Sequence, residues 1–357
     1  MPASQTPTRH ADPRVPTRGR GRRPGAPHAA GALLAALALV AAACSGGASA
    51  APVRLVVGLG YIPSVQFAQF YYADQAGYYR AAGLDVEFQN KVDPELITLI
   101  GQGAIDIGLA DGTSVIPAVS QGIPVRYAMT VYADFPSIVF TKASSGIRTT
   151  ADLRGRRLGI PCKCGSSWIQ LEALLSSVGL KPTDLKIVVY PDYGQLTALQ
   201  QDAVDAATGF ANNEPLRLAE AGETPVVLAL GADQPLPGNG LIVGQGTLDG
   251  PKHDALRAFV AATVRAMTEI EADPAKGLEA SIVRVPELGS DRATQGKVLA
   301  ATIDLWENDY TAAHGTGAID SAAWTSSIDF MRGLPDSPVA RPVTAADCVT
   351  DALLPTR

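Results

Sequence analysis

Residues 84–131 read LDVEFQNKVDPELITLIGQGAIDIGLADGTSVIPAVSQGIPVRYAMTV, and the rhythm of this stretch decides the fold. Asp85 to Gln89 is a strand pattern, Pro94 to Gln102 a helical one, and Ile105 to Ala110, Thr113 to Gln121 and Val125 to Val131 continue the alternation. Strands alternating with helices of this length predict a largely parallel sheet with helices on its faces. Upstream, Val53 to Leu59 is one more β-branched strand. The turn Gly60-Tyr61-Ile62-Pro63 ends it, and an aromatic helical segment from Gln66 to Ala82 follows. Downstream, Ser137 to Lys142 reads as the strand that leaves this unit, with Ser144-Ser145-Gly146 as the connector.

A second alternating unit begins at the helix-start signal Thr150-Ala151-Asp152-Leu153. Strand Arg157 to Ile160, helix Ser166 to Val178, strand Lys186 to Tyr190 and helix Gln195 to Gln201 come first. Strand Ala206 to Phe210, helix Glu214 to Ala221 and strand Pro225 to Leu230 complete it. After Leu241-Ile242-Val243 the chain turns helical, with Asp254 to Ala272 and Asp291 to Tyr310 as the long segments. A second lobe inserted into the first, joined by two crossing strands, accounts for this order. The expected boundaries are residues 53–143 plus 248–340 for lobe 1, 144–247 for lobe 2 and 341–357 for a C-terminal tail. No internal repeat is convincing.

The N-terminus speaks to compartment. Six arginines lie among Pro, Gly and Ala before the apolar run Ala29 to Ala43. These are the basic and apolar regions of a secretory signal, and the run is shorter than the ~20 residues a membrane-spanning helix needs. It ends in Ala41-Ala42-Ala43-Cys44 with Ser45-Gly46-Gly47 behind, which resembles a bacterial lipobox, departing from it at Ala41, where Leu is usual. The expectation is a signal peptide over residues 1–44, a lipid on Cys44 and a flexible tether over 45–52; plain secretion or an uncleaved anchor is the alternative. Arg22-Arg23, flanked by Gly21 and Pro24, does not resemble a twin-arginine signal. The chain carries 29 Lys+Arg and 35 Asp+Glu; without residues 1–44 the balance is 23 against 34, a net charge of −11. An acidic domain of this kind argues against nucleic acid as a partner.

Three cysteines follow Cys44. Cys162 and Cys164 with the distant Cys348 lack the paired spacing of a zinc site, so no metal is expected. Three free thiols or a disulfide from Cys348 to one of the pair are both open. His253 and His314 fall in polar helix-start or loop contexts and are read as no ligands. Nucleophile-elbow, zinc-protease and P-loop motifs are missing, and no cofactor is implied.

The residues also carry a family resemblance. Gly60-Tyr61-Ile62-Pro63, Gly77-Tyr78-Tyr79, Ala82-Gly83-Leu84-Asp85-Val86, Gly103-Ala104-Ile105-Asp106-Ile107-Gly108 and Ala151-Asp152-Leu153-Arg154-Gly155 follow in order. Together they resemble the solute-binding family of formylaminopyrimidine-, sulfonate-, nitrate- and riboflavin-type binding proteins, which also holds the fungal thiamine-pyrimidine synthase. Gly209-Phe210-Ala211-Asn212-Asn213-Glu214-Pro215 and Leu236-Pro237-Gly238-Asn239-Gly240-Leu241 resemble the pyrimidine and riboflavin branch. The resemblance implies a two-lobe α/β clamshell of the second periplasmic-binding-protein class, each lobe a mainly parallel sheet flanked by helices. It implies a small-molecule ligand, permease and ATPase subunits of an ABC importer as partners, and a monomer held by its lipid on the outer face of the membrane.

In open α/β sheets ligands lie beyond the carboxyl ends of the strands. Tyr61, Gln66, Asp111, Thr113, Ser114, Tyr132, Gly165, Ser166, Ser167, Tyr190, Asn212, Asn213, Glu214 and Asn239 fall at such ends or in crossing loops and are the candidate site. Aromatic faces with Asn and Glu edges suit a pyrimidine or flavin-like ring better than sulfate or nitrate. Each group has a plainer reading. Tyr61 fits lobe packing, Gly165-Ser166-Ser167 fits an N-cap as well as an anion or carbonyl site, and Asn212-Asn213-Glu214-Pro215 fits a helix start. Tyr71, Tyr72, Tyr78 and Tyr79 fit core packing. In the fungal synthase a lysine and a histidine follow the strand equivalent to Ile105–Gly108, and a cysteine-rich run lies near the equivalent of Leu236–Leu241. Here those places hold Leu109-Ala110-Asp111-Gly112 and Pro237-Gly238-Asn239-Gly240, so synthase chemistry is not expected.

Overall fold

The computed structural model describes residues 51–92, 95–231 and 234–355. The export segment and Cys44 lie outside the described residues. Ten strands run β1 (Val53–Leu59), β2 (Leu84–Asn90), β3 (Ile107–Ala110), β4 (Val125–Thr130), β5 (Ser137–Lys142), β6 (Arg157–Ile160), β7 (Lys186–Val189), β8 (Ala206–Phe210), β9 (Pro225–Leu228) and β10 (Gly240–Gly244) among the described residues. The helices that matter here are α1 (Ala68–Gln75), α2 (Glu95–Gly101), α3 (Gly112–Ser120), α4 (Gly165–Ser176), α5 (Gln195–Gln200), α6 (Glu214–Glu220), α7 (His253–Ala272), α8 (Pro274–Arg284), α9 (Arg292–Asp304) and α10 (Ser321–Arg332).

The strands form two sheets, ordered β2-β1-β3-β10-β4 and β7-β6-β8-β5-β9. Pairing is parallel in β1 with β2 and β3 and in β6 with β7 and β8, whereas β10 and β5 run antiparallel to both of their neighbours. The reversed strands are the ones that enter each sheet from the other lobe. That corrects the expected boundaries: Ser137–Lys142 belongs to the second lobe and Gly240–Gly244 to the first. Hydrophobic patterning marks a strand without marking its direction, and so does not show that each crossover precedes these strands.

One local device recurs in the two lobes although no sequence repeat is visible. Asp106, just before β3, accepts from the Val56 N–H of β1 at 2.8 Å, and Asp205, just before β8, accepts from the Arg157 N–H of β6 at 2.8 Å. Three residues upstream of each, Gly103 and Asp202 take φ of 73° and 58°, turning the chain sharply into the aspartate. Lys252 completes the first site, its Nζ 2.8 Å from both Asp106 oxygens, and Arg157 completes the second at 2.6 Å.

The first lobe's core packs Leu55, Val57 and Leu59 of β1 against Phe70 and Phe259, with Tyr79 stacked on Phe259 at 4.9 Å. Tyr71 and Tyr79 are buried there, while the Tyr72 and Tyr78 hydroxyls donate to Glu269 at 2.7 and 2.6 Å. In the second lobe Leu158 and Ile160 of β6 pack on Leu171, Leu174 and Leu175 of α4. The expected helix Asp291–Tyr310 is broken after α9. Trp306 turns into the core, and the Asn308 side chain accepts from Tyr310 and Thr311 N–H groups at 3.0 and 3.1 Å, starting a short helix at Asp309. Residues 345–353 are no loose tail: Ala345, Cys348 and Leu353 are buried, and Thr350 N–H donates to Tyr127 O at 2.9 Å. No helix among the described residues is long and apolar enough to cross a membrane.

The two crossing segments, 131–136 and 229–239, touch each other. Val131 and Tyr132 N–H groups both donate to the Asn239 carbonyl, at 3.0 and 2.8 Å. The approach is so close that a Cβ on Gly238 would stand 2.1 Å from the Tyr132 carbonyl oxygen, and one on Gly240 2.1 Å from the Tyr127 ring. Gly238→Ala is expected to lower unfolding free energy by about 2–3 kcal/mol. Gly246→Ala, where an added Cβ meets nothing within 4 Å, is expected to change it by less than about 1 kcal/mol. Urea unfolding of the two variants measures both, and equal effects would remove the steric account of the crossing.

Candidate ligand-binding cleft

The carboxyl ends of the parallel strands face one another across the lobes, and the loops that leave them bound a cleft of about 790 Å³, its solvent-open mouth included. From β1 come Gly60, Tyr61, Gln66 and Phe67; from β2, Val92; from β3, Leu109 and Asp111. The crossing segments supply Tyr132 and Asn239. Opposite them stand Pro161, Cys162, Cys164, Gly165, Ser166 and Ser167 after β6, Tyr193 and Gln195 after β7, and Gly209, Phe210, Asn213 and Glu214 at the end of β8.

Hydrogen bonds already tie the lobes together around this space. Asp111 stands at the N-cap position of α3 and accepts through Oδ2 from Ser166 N–H of α4 at 2.9 Å and through Oδ1 from Asn239 Nδ2 at 2.7 Å. Asn212 Nδ2 donates to Gln66 Oε1 at 3.1 Å and to Thr302 Oγ1 on α9 at 2.8 Å. At the mouth, the rings of Tyr61 and Tyr193 meet edge to face at 4.6 Å. Tyr193 takes φ of 60°, a left-handed conformation unusual for a bulky residue. The turn Asp192–Gly194 holds it, with Gly194 N–H bonded to Asp192 Oδ1 at 3.1 Å.

Asp111 and Glu214 are the charged side chains of the lining, which holds no Lys, Arg or His among the described residues. Glu214 is buried. Its Oε2 accepts from Phe210 N–H at 2.7 Å and its Oε1 from Asn213 Nδ2 at 3.2 Å. Gly209 leaves the room: a Cβ there would sit 2.8 Å from Glu214 Oε2. Burial pushes the Glu214 carboxyl above its ordinary range, against the pull of the Phe210 N–H. Burial and then the nearby Glu214 charge push the Tyr61 phenol upward as well, so it stays a neutral donor.

The structure brings Tyr61, Gln66, Asp111, Tyr132, Gly165, Ser166, Ser167, Asn213, Glu214 and Asn239 into the lining. Thr113, Ser114, Tyr190 and Asn212 are not part of it. Thr113 is buried in the first turn of α3, and Ser114 lies one residue on, past the cap. Asn212 stands behind the wall, holding Gln66 in place. Tyr190 closes β7 and packs beside Gly159 on the second lobe's smaller apolar cluster. The turn carries Tyr193 to the cleft instead, and its Asp-Tyr-Gly sequence was the available signal. The anion reading of the α4 start also changes, because Asp111 already occupies Ser166 N–H. Cys162 and Cys164 form a disulfide with Cα atoms 5.2 Å apart, and Cys348 is a buried free thiol in the first lobe, which corrects the expectation of free thiols or a bridge to Cys348. Phe67 and Phe210 also line the cleft, although apolar residues near a helix start and at a strand end carry no binding signal in the sequence.

Residues 64–277 match the family described as NMT1/THI5 like. The chain is 35% identical over 295 residues to the riboflavin-binding protein RibY of Chloroflexus aurantiacus, covering 80% of this chain and 83% of that one. It is 28% identical over 226 residues to a 4-amino-5-hydroxymethyl-2-methylpyrimidine phosphate synthase of Legionella pneumophila, covering 60% and 69%. Among solved structures, the alkanesulfonate-binding protein SsuA of Xanthomonas axonopodis pv. citri, bound to MOPS, superposes with a TM-score of 0.65 at 19% identity over 84% of this chain and 99% of that one. The nitrate-binding protein NrtA of Synechocystis gives a TM-score of 0.57 at 15% identity, covering 85% and 87%. At those identities the superpositions speak to the fold, a two-lobe periplasmic-binding-protein clamshell.

A raised carboxyl pKa makes folding depend on pH in a known direction. The folded protein holds the Glu214 proton more tightly than the unfolded chain, so the group's cost is absent below the unfolded pKa and grows as pH rises through the folded one. Glu214→Gln removes that titration. Relative to the variant, the wild-type protein is expected to lose melting temperature as pH is raised from about 4 to 8; a constant gap between the two melting curves across that range would contradict it.

Proposed function

The chain belongs to the NMT1/THI5-like family, and on that premise we propose that it is a solute-binding protein of an ABC importer whose ligand is an uncharged heterocycle, riboflavin or a thiamine-pyrimidine precursor. The observation that carries this reading is the cleft's chemistry: aromatic walls from Tyr61, Phe67, Tyr132, Tyr193 and Phe210 around two carboxylates and no cation. Such walls sandwich a planar ring, and acceptor side chains select its N–H and O–H edges. The riboflavin-binding relative supports the same class of ligand.

A sulfonate or nitrate is less well served. It would meet the Asp111 carboxylate with no Lys, Arg or His in the described lining, and Ser166 N–H is already engaged. Synthase chemistry lacks the lysine and histidine expected after β3, where Leu109, Ala110 and Asp111 stand. In the mechanism we favour, a ligand that touches both lobes stabilises the closed form by its difference in affinity between closed and open states. The permease and ATPase subunits then respond to closure, and a lipid on Cys44 keeps the protein at the outer face of the membrane as a monomer.

Native mass spectrometry and calorimetry with riboflavin, 4-amino-5-hydroxymethyl-2-methylpyrimidine, an alkanesulfonate and nitrate test the reading. A heterocycle is expected to bind and be recovered unchanged, with the two anions bound at least about a hundredfold more weakly, as a buried charge facing like charges requires. Preferred binding of either anion, or chemical conversion of a bound heterocycle, would overturn it.

A further inference from the structure

We infer that Gln195 forms, with Thr208 behind it, a neutral acceptor subsite in the second lobe's wall that reads one hydrogen-bond donor of the ligand, a hydroxyl or a ring N–H. The inference rests on the heterocycle reading above and narrows it. Gln195 opens α5, is 2% exposed and lines the cleft. Its Nε2 donates to the Thr208 carbonyl of β8 at 3.3 Å, which sets the orientation of the amide and leaves Oε1 as the outstanding acceptor. That oxygen is buried and has no partner, and neither has the buried Thr208 hydroxyl.

Several buried side chains of the described residues carry a polar atom without a partner, including Gln69, Gln170 and Asn212, but of these Gln195 alone lines the cleft. A desolvated amide oxygen on a side chain that lines a ligand space is satisfied by a donor that reaches it there. The charged acceptors do not compete for this role on equal terms. Both Asp111 oxygens already accept from Ser166 and Asn239, and both Glu214 oxygens from Phe210 and Asn213. An acceptor without charge also discriminates in a useful sense: it takes a neutral O–H or N–H and offers nothing to a sulfonate, nitrate or carboxylate oxygen.

Three probes separate the two kinds of donor: riboflavin, lumiflavin, which keeps the ring and lacks the polyol hydroxyls, and 3-methylriboflavin, in which the ring N–H is blocked. Flavin fluorescence titrations of the wild-type protein and Gln195→Met give the affinities. The variant is expected to lose about three- to tenfold in affinity for riboflavin, the worth of one hydrogen bond. That loss should vanish for one of the two modified probes, the one missing the donor that Gln195 reads. In the absence of flavin the variant's melting temperature reports the separate loss of the Nε2 bond to the Thr208 carbonyl, which methionine also removes. An equal loss on all three probes, or no loss on any, would overturn the inference while leaving the heterocycle reading intact. A wild-type protein that binds none of the three probes overturns the flavin reading, and this inference falls with it.

Discussion

The Asp111 carboxylate lies between the starts of two helices, α3 and α4, that belong to different lobes. Both helix N-termini present partial positive charge, so a single negative group between them is favourable in either direction. Asp111 also holds Asn239, the last residue before the chain re-enters the first sheet. One side chain thus joins the two lobes, holds the start of the returning strand and places a negative charge in the cleft. Its presence is the reason an extended row of helix N–H groups does not translate into an anion site here. The positive end of α4, which would otherwise attract an external anion, is met by an internal one.

The two lobes are alike in topology and unlike in surface, and both properties trace to short stretches of chain. Asp106 and Asp205 each pin the neighbouring parallel strand from the same position, after a residue with positive φ. This conserves the strand order without requiring similar sequence elsewhere. The loops leaving β1 and β6 differ completely: the first contributes the aromatics Tyr61 and Phe67, the second a disulfide-closed turn and two serines. Aromatic rings nevertheless reach the cleft from both lobes, Tyr61 and Phe67 from the first and Tyr193 and Phe210 from the second, beside the small polar groups of the disulfide-closed turn.

Much of this was legible in the residues themselves. Strand and helix alternation from Val53 to Leu230, the inserted second lobe, and the clustering of Tyr61, Asp111, Ser166, Glu214 and Asn239 at strand ends all follow from periodicity and from the rule about carboxyl ends. What could not be read depends on three-dimensional direction. Ser137–Lys142 and Gly240–Gly244 have ordinary strand patterns, and only pairing shows that each runs against its sheet. Tyr190 and Tyr193 are three residues apart in one turn, and the left-handed backbone at Tyr193 decides which ring reaches the cleft. Gln195 reads as a helix-start polar residue, and its role depends on the Thr208 carbonyl, which no local pattern reveals.

The closure contacts impose a division of work among the polar groups. Across the lobes Asn212 holds Gln66 and Thr302 and Asp111 holds Ser166, whereas Asn239 holds Asp111 and, through its carbonyl, two N–H groups of the other crossing segment. The bonds that cross the lobes join protein to protein, so they favour this arrangement by a similar amount whatever lies between the lobes. A ligand can shift the balance between open and closed only through contacts that differ in the two states. The atoms available for that are the ring faces, among them Tyr61 against Tyr193, and the acceptors that closure leaves without a donor. On the proposed reading, affinity for a flat ring and selection by its edges accordingly fall to different residues, and a change at the bonds between the lobes should alter how tightly they shut without altering which ligand they prefer.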